Sequence, residues 1–275
     1  MIKFENIEVS GFRAAFRGLR NPLESWHKSD SFFGLVNVEY SDEDYKITDN
    51  WIKKENSNIE EFSEEYEKLF EKYNTWLIKQ GIIKADNNYN VYDCAFIGPN
   101  DMSLAQRMIL AGDDEAKFAR MIHVQMDITA PLRWLKEFDT YKIATVANST
   151  STMHKLASTP ITKECFSWDG FSDLELIDST GSPDIFIEET ISNCEQLRQL
   201  YLKTNDKRYW RALIDLLPDG WMQKRTVDLN YQTLRHMSLA REHHKQSEWS
   251  VDFCNMTKEL PYGKELIWIK KENKQ

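Results

Sequence analysis

The segment FARMIHVQMDITAPLRWLKEFDTYKIATVANSTS, residues 118–151, contains the clearest structural pattern in the chain. Apolar and polar side chains alternate from Ile122 to Ile128, which predicts a strand with one buried face. Pro131 comes shortly afterwards. We expect it to start a helix, because the N–H that proline lacks would be unbonded in the first helical turn anyway. A run of four hydroxyl residues, 149–152, ends the segment.

Further elements are predicted on both sides of this segment. An opening strand over residues 2–10 is followed by a basic, apolar segment that we expect to be helical. An amphipathic helix is predicted over residues 58–79, because its apolar side chains recur at spacings of three and four. A second helix is predicted over residues 101–111, starting at a Pro-Asn-Asp capping signal and ending at a glycine.

The C-terminal half is predicted to be mainly helical. We expect helices over about 187–203 and 206–217 and a long helix over about 230–260. Residues 156–188 contain several prolines and glycines among scattered acids, and they are predicted to form a loop or small insertion. Strands mixed with helices indicate an α/β (α+β) fold, with a mixed sheet and long helices, in a single domain over residues 1–275.

Composition excludes several classes of protein. With 41% hydrophobic residues the chain can form one good-sized core, and a net charge of −9 argues against a nucleic-acid surface. No window approaches 18 apolar residues, so no membrane span is expected. The N-terminus does not resemble a signal peptide. The cysteines are far apart and form no CxxC pair, which indicates a reduced, cytoplasmic protein without structural zinc or disulfides: Cys94, Cys165, Cys194 and Cys254.

No metal site is predicted. His243 and His244 are adjacent, so on a helix they would point about 100° apart. The spacing that places two histidine ligands on one helical face is absent. The histidines at 236, 243 and 244 are therefore interpreted as part of a solvated helix face.

The predicted last helix carries a partly charged face. Arg241 enters this face, and a buried guanidinium requires an anionic or acceptor-rich partner. Glu248 or an acid on another helix would satisfy it, and a bound anion would do so equally. The positions that share this face are Leu234, Met237, Arg241, Lys245, Glu248 and Asp252.

Two motifs resemble those of the flavin-dependent thymidylate synthases. The first is Leu-Pro followed by N-x3-L-x6-R-x4-Q-x-E, which resembles the C-terminal signature of that family. The resemblance implies that Arg241 contacts a pyrimidine nucleotide and that Asn230 lies at the flavin. His236 occupies a position where the family usually has a flavin-contacting asparagine. The matched positions are Leu217, Pro218, Asn230, Leu234, Arg241, Gln246 and Glu248.

The second motif lies in residues 130–151, which are similar to the family's Ala-Pro strand end, helix and RHR-x2-S-x-N-x2-S-x-R sequence. Here Thr140-Tyr141-Lys142 stands in place of the RHR triplet, and Thr145 replaces the first serine. With one inserted residue, Asn148 and Ser151 match the asparagine and the second serine. Without the insertion, Thr150 takes the serine position instead.

Several family residues are replaced. The triplet keeps only Lys142 as a cation, and an ammonium cannot reproduce a bidentate guanidinium. Glu137 stands where the family has a glutamine that faces the nucleotide. The arginine that precedes the Leu-Pro pair is Ile214 here, and Arg211 lies about one helical turn earlier. Four cations are available as substitutes in the phosphate and flavin contacts: Lys155, Lys224, Arg225 and Lys245.

The resemblance covers residues 85–155 and 205–262. It implies a thymidylate synthase-like enzyme that uses FAD, with methylenetetrahydrofolate and NADPH as co-substrates, to transfer a one-carbon unit to the pyrimidine of dUMP. It also implies a homotetramer in which Arg241 and residues 140–152 meet across a subunit boundary. Arg241 and Ser151 are the expected catalytic residues. Nucleotide contacts are expected from Glu137, Thr150, Ser151, Arg211 and Arg241, and flavin contacts from Tyr141, Lys142, Thr145, Asn148, Asn230, His236 and Lys245.

Two alternatives remain open. One is an enzyme that acts on another pyrimidine nucleotide, because Glu137 in place of an amide would change recognition of the ring. The other is a non-catalytic protein that kept the fold for nucleotide binding or assembly after it lost the cationic triplet. For the hydroxyl run at 149–152, a plain polar turn and a phosphate-binding loop are both open.

Overall fold

The alternating segment forms a strand inside a four-stranded sheet. The computed structural model describes residues 2–36, 92–171 and 183–271, so the helix predicted over 58–79 lies outside the described residues. The four-stranded sheet has the order β1-β4-β6-β5, and β2 and β3 form a separate antiparallel pair in which Phe32 lies opposite Phe96. The strands are β1 (Lys3–Ser10), β2 (Phe32–Val36), β3 (Tyr92–Phe96), β4 (His123–Pro131), β5 (Val146–Ser149) and β6 (Met222–Asn230).

Helices connect and flank these strands. The α-helices are α1 (Phe12–Arg20), α2 (Pro99–Ala111), α3 (Leu132–Phe138), α4 (Thr152–Lys155), α5 (Pro183–Thr204), α6 (Lys207–Leu216), α7 (Tyr231–Arg241) and α8 (Cys254–Glu259). Short 3-10 turns cover Asn21–Leu23, Trp26–Lys28, Glu115–Met121, Leu156–Ser158, Lys163–Cys165 and Asp169–Phe171, and π-helical turns cover Glu248–Phe253 and Gly263–Ile267. Among the described helices, none is long and apolar enough to cross a membrane.

The strand predicted from the alternating pattern is confirmed. The apolar positions Ile122, directly before β4, and Val124, Met126 and Ile128 within it are at most 1% exposed, whereas His123 and Gln125 face solvent. A helix follows Pro131, as predicted, but Pro131 is the last residue of β4 and the N-cap of α3 rather than its first helical residue. The opening strand and the helix after it are also present, as β1 and α1. These elements could therefore be predicted from the local pattern of apolar residues, because each of them buries a single apolar face.

Helix α2 begins close to the predicted position, but its N-terminus is capped by a residue distant in sequence. The Asp30 carboxylate accepts the backbone N–H groups of Asn100, at 2.7 Å, and Asp101, at 3.0 Å. Asp101 itself is fully buried and accepts from Arg20 Nε at 2.6 Å. Gly98 permits this arrangement, because a Cβ there would lie 2.3 Å from the Asp30 carboxyl carbon.

The single long helix predicted over 230–260 is wrong. Helix α7 ends at Arg241, and regular helix does not resume until after residues 242–246. The reason is local: the His244 Nδ1 accepts the Gln246 backbone N–H at 3.2 Å, so a side chain satisfies a donor that begins the next turn. The predicted loop over 156–188 contains three 3-10 turns in its described part, and α5 begins at Pro183, four residues earlier than expected.

The chain divides into two compact units. The first unit comprises Met1–Phe4, Asp127–Lys142 and Val146–Val227, and the second comprises Glu5–Met126, Ile143–Thr145 and Asp228–Gln275. A cluster of buried apolar side chains forms a core of the first unit: Leu156, Ile161, Phe166, Cys194 and Leu213. In the second unit aromatic rings meet edge to face, as in the pairs Phe12–Tyr231, at 5.7 Å, and Phe16–Phe118, at 5.8 Å.

Candidate functional site

The hydroxyl loop, residues 149–152, lies in the first unit where β5 leaves the edge of the sheet. The Thr150 backbone N–H donates to the Lys224 carbonyl at 2.9 Å, which extends the pairing of β5 with β6 by one residue. Ser151 caps α4: its Oγ accepts the His154 N–H at 3.1 Å and can still donate its own proton. Within the described part of the chain the Thr150 hydroxyl makes no hydrogen bond, so it is available to a ligand.

A buried amide holds the hydroxyl loop. Gln223 is 9% exposed, and its Nε2 donates to the Thr150 carbonyl at 2.8 Å and to the Thr152 Oγ1 at 3.3 Å. Our sequence analysis did not single out this residue. A signal was present, because Gln223 occupies the same inward register of β6 as the buried Val227 and Leu229, and a polar side chain there needs partners.

Two of the expected substitute cations are already paired. Lys224 Nζ lies 2.9 Å from Asp127, and the Arg225 guanidinium pairs with Asp139. These pairs correct the expectation that both side chains are available to a phosphate, because each cation already has a carboxylate partner within its own unit. The ammonium group of Lys155, on α4, has no hydrogen bond or ion pair among the described residues.

Two other cations of the first unit are also unpaired in the described parts of the chain. Lys142 is exposed just after α3, and Arg211 is exposed on α6. The residue before Arg211, Trp210, donates its indole N–H to the Met153 carbonyl at 3.2 Å, so α6 contacts the segment that follows the hydroxyl loop. Hydroxyl groups and unpaired cations together favour a small anion such as a phosphate.

The remaining predicted residues of the first unit lie around the end of α3 and on β5. The Glu137 carbonyl accepts the Thr140 hydroxyl at 2.7 Å, and the Glu137 side chain is half-buried. Tyr141 is half-buried and Asn148 is exposed on the edge strand. The first unit therefore contains seven of the predicted ligand-binding residues: Glu137, Tyr141, Lys142, Asn148, Thr150, Ser151 and Arg211.

The other predicted residues belong to the second unit, where two of them lie near the start of α7. The Asn230 side-chain oxygen accepts the Thr233 N–H at 2.9 Å and so caps the helix. The Thr233 hydroxyl donates to the Ile143 carbonyl at 3.3 Å, and the Thr145 hydroxyl donates to the same carbonyl at 3.4 Å. The capping bond uses the amide oxygen of Asn230 and leaves its amino group as a donor.

His236 pairs with an acid rather than standing alone. Its Nε2 lies 2.9 Å from Asp113, and this hydrogen bond holds the pKa of the Asp113 carboxyl below its ordinary value. Gln232, one turn earlier, donates to the Asp113 carbonyl at 3.2 Å and accepts from Arg120. His236 therefore offers only Nδ1 to any further partner.

Arg241 is the last residue of α7, and its guanidinium carbon lies 5.2 Å from the centre of the Trp249 ring. This is a cation–π contact with a fully buried aromatic ring. Glu248 is buried and Lys245 is exposed. Because the helix breaks after Arg241, Lys245 and Glu248 do not continue its helical face, which corrects the arrangement predicted for this segment.

The sheet order and flanking helices define an α/β fold of the flavin-dependent thymidylate synthase type. Two solved structures with this fold, both of thymidylate synthase X (ThyX) from Helicobacter pylori with FAD and dUMP, are similar to the chain. One has a TM-score of 0.54 at 12% identity and covers 97% of each chain. The other has a TM-score of 0.53 at 12% identity and covers 96% of this chain and 97% of that one.

The likeness is one of fold. No family model matches the chain, and no curated protein matches its sequence. At 12% identity the two structures show the architecture that this sequence adopts, whereas the activity has to be argued from the residues.

Proposed function

We propose that the protein is an FAD-dependent, thymidylate synthase-like enzyme that transfers a one-carbon unit from methylenetetrahydrofolate to the pyrimidine of dUMP, with NADPH as reductant. The observation that carries the proposal is the fold match over 97% of both chains to a protein whose structure contains FAD and dUMP. The two sequence motifs support it independently, because their residues flank the exposed hydroxyl loop and the start and end of α7. A cytoplasmic location is part of the proposal.

The phosphate of the nucleotide is the ligand group that the first unit fits best. The Thr150 hydroxyl is available, and Ser151 keeps a donor proton while it caps α4. Lys155 and Arg211 would add positive charge, since neither has a partner among the described residues. Charge-assisted hydrogen bonds from such groups are about twice as strong as neutral ones. Thr150 and Ser151 would therefore bind and orient the phosphate.

Arg241 is the residue that would polarise the pyrimidine ring. The cation–π contact with the Trp249 ring places the guanidinium at the end of α7. A guanidinium carries five N–H donors, so it can hydrogen bond a ring carbonyl oxygen in addition to its contacts within the protein. Stabilising charge on a ring carbonyl is the contribution that we assign to Arg241.

FAD, when bound and reduced by NADPH, would supply the hydride, and this chain offers the flavin fewer cations than the family motif does. Lys142 would contribute an ammonium and the half-buried Tyr141 a ring face. His236 and Asn230 would each offer one remaining polar group, because Asp113 and the helix cap use the others. The other proposed flavin contacts are Thr145, Asn148 and Lys245. The protein would thus position the reactants, and the cofactor would carry out the redox chemistry.

One observation favours an alternative nucleotide as the substrate. Glu137 is half-buried at the end of α3, and a carboxylate accepts hydrogen bonds where an amide would also donate them. The exocyclic amino group of cytosine is such a donor, whereas uracil has a carbonyl at that position. A deoxycytidine monophosphate is therefore the alternative nucleotide.

The proposal is tested by incubating the protein with FAD, NADPH, methylenetetrahydrofolate and either dUMP or dCMP. Mass spectrometry then detects a methylated nucleotide. We expect product from dUMP, and an Arg241→Ala protein serves as the control that lacks the proposed polarising residue. Product from dCMP alone would support the second substrate. Failure of the wild-type protein to bind or convert either nucleotide would contradict the proposal.

A further inference from the structure

A continuous line of hydrogen bonds in the first unit connects the end of α3 to the hydroxyl loop. The Arg225 guanidinium pairs with Asp139 and donates through Nε to the Gln223 Oε1 at 3.0 Å. The amide of Gln223 then donates to Thr150 and Thr152 at 2.8 and 3.3 Å. Asp139 immediately precedes the Thr-Tyr-Lys triplet. The line therefore joins the two segments that carry the family motif.

The orientation of the Gln223 amide follows from its partners. A guanidinium can only donate, so the atom that faces Arg225 must be the acceptor oxygen. The amino group is then directed at the Thr150 carbonyl and the Thr152 hydroxyl. Both ends of the amide are thus occupied, which a buried polar side chain requires.

The hydroxyl loop depends on this amide because little else anchors it. Each residue of β5 is exposed, and so is Thr150. Its backbone is otherwise tied to β6 at this point by the bond from Thr150 N–H to the Lys224 carbonyl. Exposed edge segments with few buried contacts open easily. Two bonds from a side chain that is 9% exposed would suppress such opening.

We propose that Gln223 is the positioning residue of the phosphate site. Arg225 and Asp139 fix the position of its side chain relative to the triplet, residues 140–142. This assignment rests on the proposed function. Gln223 does not touch the ligand. It fixes where the Thr150 and Ser151 hydroxyl groups are presented, and pre-organised donors bind an anion more tightly than donors that must first be ordered.

Two substitutions distinguish the contribution of the Gln223 amino group from that of its carbonyl oxygen. Gln223→Glu keeps an acceptor for Arg225 and loses the N–H donors to the loop, whereas Gln223→Met loses both. Gln199→Met is the matched control, because Gln199 is exposed on α5 and donates only to Glu195 at 2.7 Å. Ligand-observed NMR titrations would compare dUMP with deoxyuridine, which lacks the phosphate. Hydrogen exchange of residues 150–155 in the ligand-free proteins gives a second readout.

We expect both Gln223 variants to bind dUMP about tenfold more weakly, as for the loss of one well-placed hydrogen bond, with little change for deoxyuridine. Exchange at residues 150–155 should be faster in both variants and unchanged in the control.

Gln223→Glu binding dUMP as tightly as the wild type would overturn the assignment. Equal losses for dUMP and deoxyuridine would also overturn it, because they would show a general structural effect. If the wild type binds neither ligand, the proposed function fails and the assignment fails with it.

Discussion

Arg241 is the residue for which we propose contact with the pyrimidine ring. It ends a helix, and it lies against a buried tryptophan ring at 5.2 Å. A second arginine on the same helix, Arg235, provides a contrast. Arg235 donates to the Ile267 and Ile269 carbonyls at 2.7 and 2.6 Å, and burial lowers its pKa. We therefore propose a ligand role for Arg241, whereas the contacts of Arg235 lie within the fold.

Arg241→Lys should leave folding nearly intact and weaken dUMP binding by about 1.5–3 kcal/mol, the loss expected for a charge-assisted hydrogen bond. Calorimetric titration and a thermal melt on the same protein measure both quantities. Arg235→Lys is the control, and it should lower the melting temperature without a selective effect on binding. A lowered melting temperature with unchanged dUMP affinity for Arg241→Lys would assign Arg241 to the fold as well.

Glu195 is a carboxylate whose ionised form the fold stabilises. Hydrogen bonds from Arg198 lower its pKa from the ordinary 4.5 to about 2, and the Ile161 N–H donates to it at 2.9 Å. Between these values the unfolded chain takes up a proton that the folded chain does not. Acidification through this range therefore removes stability that is fully present above pH 4.5.

Glu195→Gln should reduce the free energy of unfolding at neutral pH by about 1–2 kcal/mol, because charge-assisted bonds become neutral ones. The difference from wild type should shrink as the pH falls from 4.5 towards 2. Urea titrations across that range measure it. Glu188→Gln, on an exposed position of the same helix, should show no such trend. A constant difference at every pH would mean that the ion pair is not its cause.

Helix α3 is closely followed by Thr140-Tyr141-Lys142, the segment that stands in place of the family's RHR triplet. Thr140 is exposed, and its hydroxyl donates to the Glu137 carbonyl at 2.7 Å. Lys142 is exposed and Tyr141 is half-buried. One ammonium, one hydroxyl and one phenol thus replace two guanidinium groups and an imidazole.

Each replacement of a charged donor should cost about 1 kcal/mol or more in FAD binding. Thr140→Arg should therefore raise FAD affinity, since it restores one guanidinium. Tyr141→Ala should lower flavin occupancy, because aromatic stacking adds about 0.5–1.5 kcal/mol beyond burial. Fluorescence titration of FAD measures both. If Thr140→Arg leaves the affinity unchanged, the triplet does not face the flavin.

The elements that sequence predicted well are those with one buried face. The alternation in β4 and the basic, apolar composition of α1 are local features, and the structure confirms a strand and a helix there. Contacts with distant partners could not be predicted in this way. Asp30 caps α2 from 70 residues away, and Gln223 holds the hydroxyl loop from 73 residues away. The break after α7 was also missed, because it depends on His244 accepting a backbone N–H.

The candidate site was partly predictable for the same reason. The hydroxyl loop and Arg241 were identified from motif spacing, which is a property of sequence alone. The pairing of Lys224 and Arg225 with Asp127 and Asp139 was not, because charge pairing depends on which strands are neighbours.

For the chain as a whole, the resemblance predicts a homotetramer of about 130 kDa, four times the 32.5 kDa chain. Ile143 is 86% exposed and Val146 is 67% exposed, and both lie in the segment expected to meet another subunit. Light scattering coupled to size-exclusion chromatography measures the mass. A monomer at every concentration would remove the shared-site arrangement.

The central claim is that this fold still binds FAD, and a visible absorbance spectrum of the purified protein followed by an FAD titration tests it most directly. We predict a partly occupied flavoprotein whose FAD affinity is at least about tenfold weaker than that of a protein with the full cationic triplet. Added FAD should raise its melting temperature, as any ligand specific to the native state does. A colourless protein that FAD neither binds nor stabilises would contradict the claim.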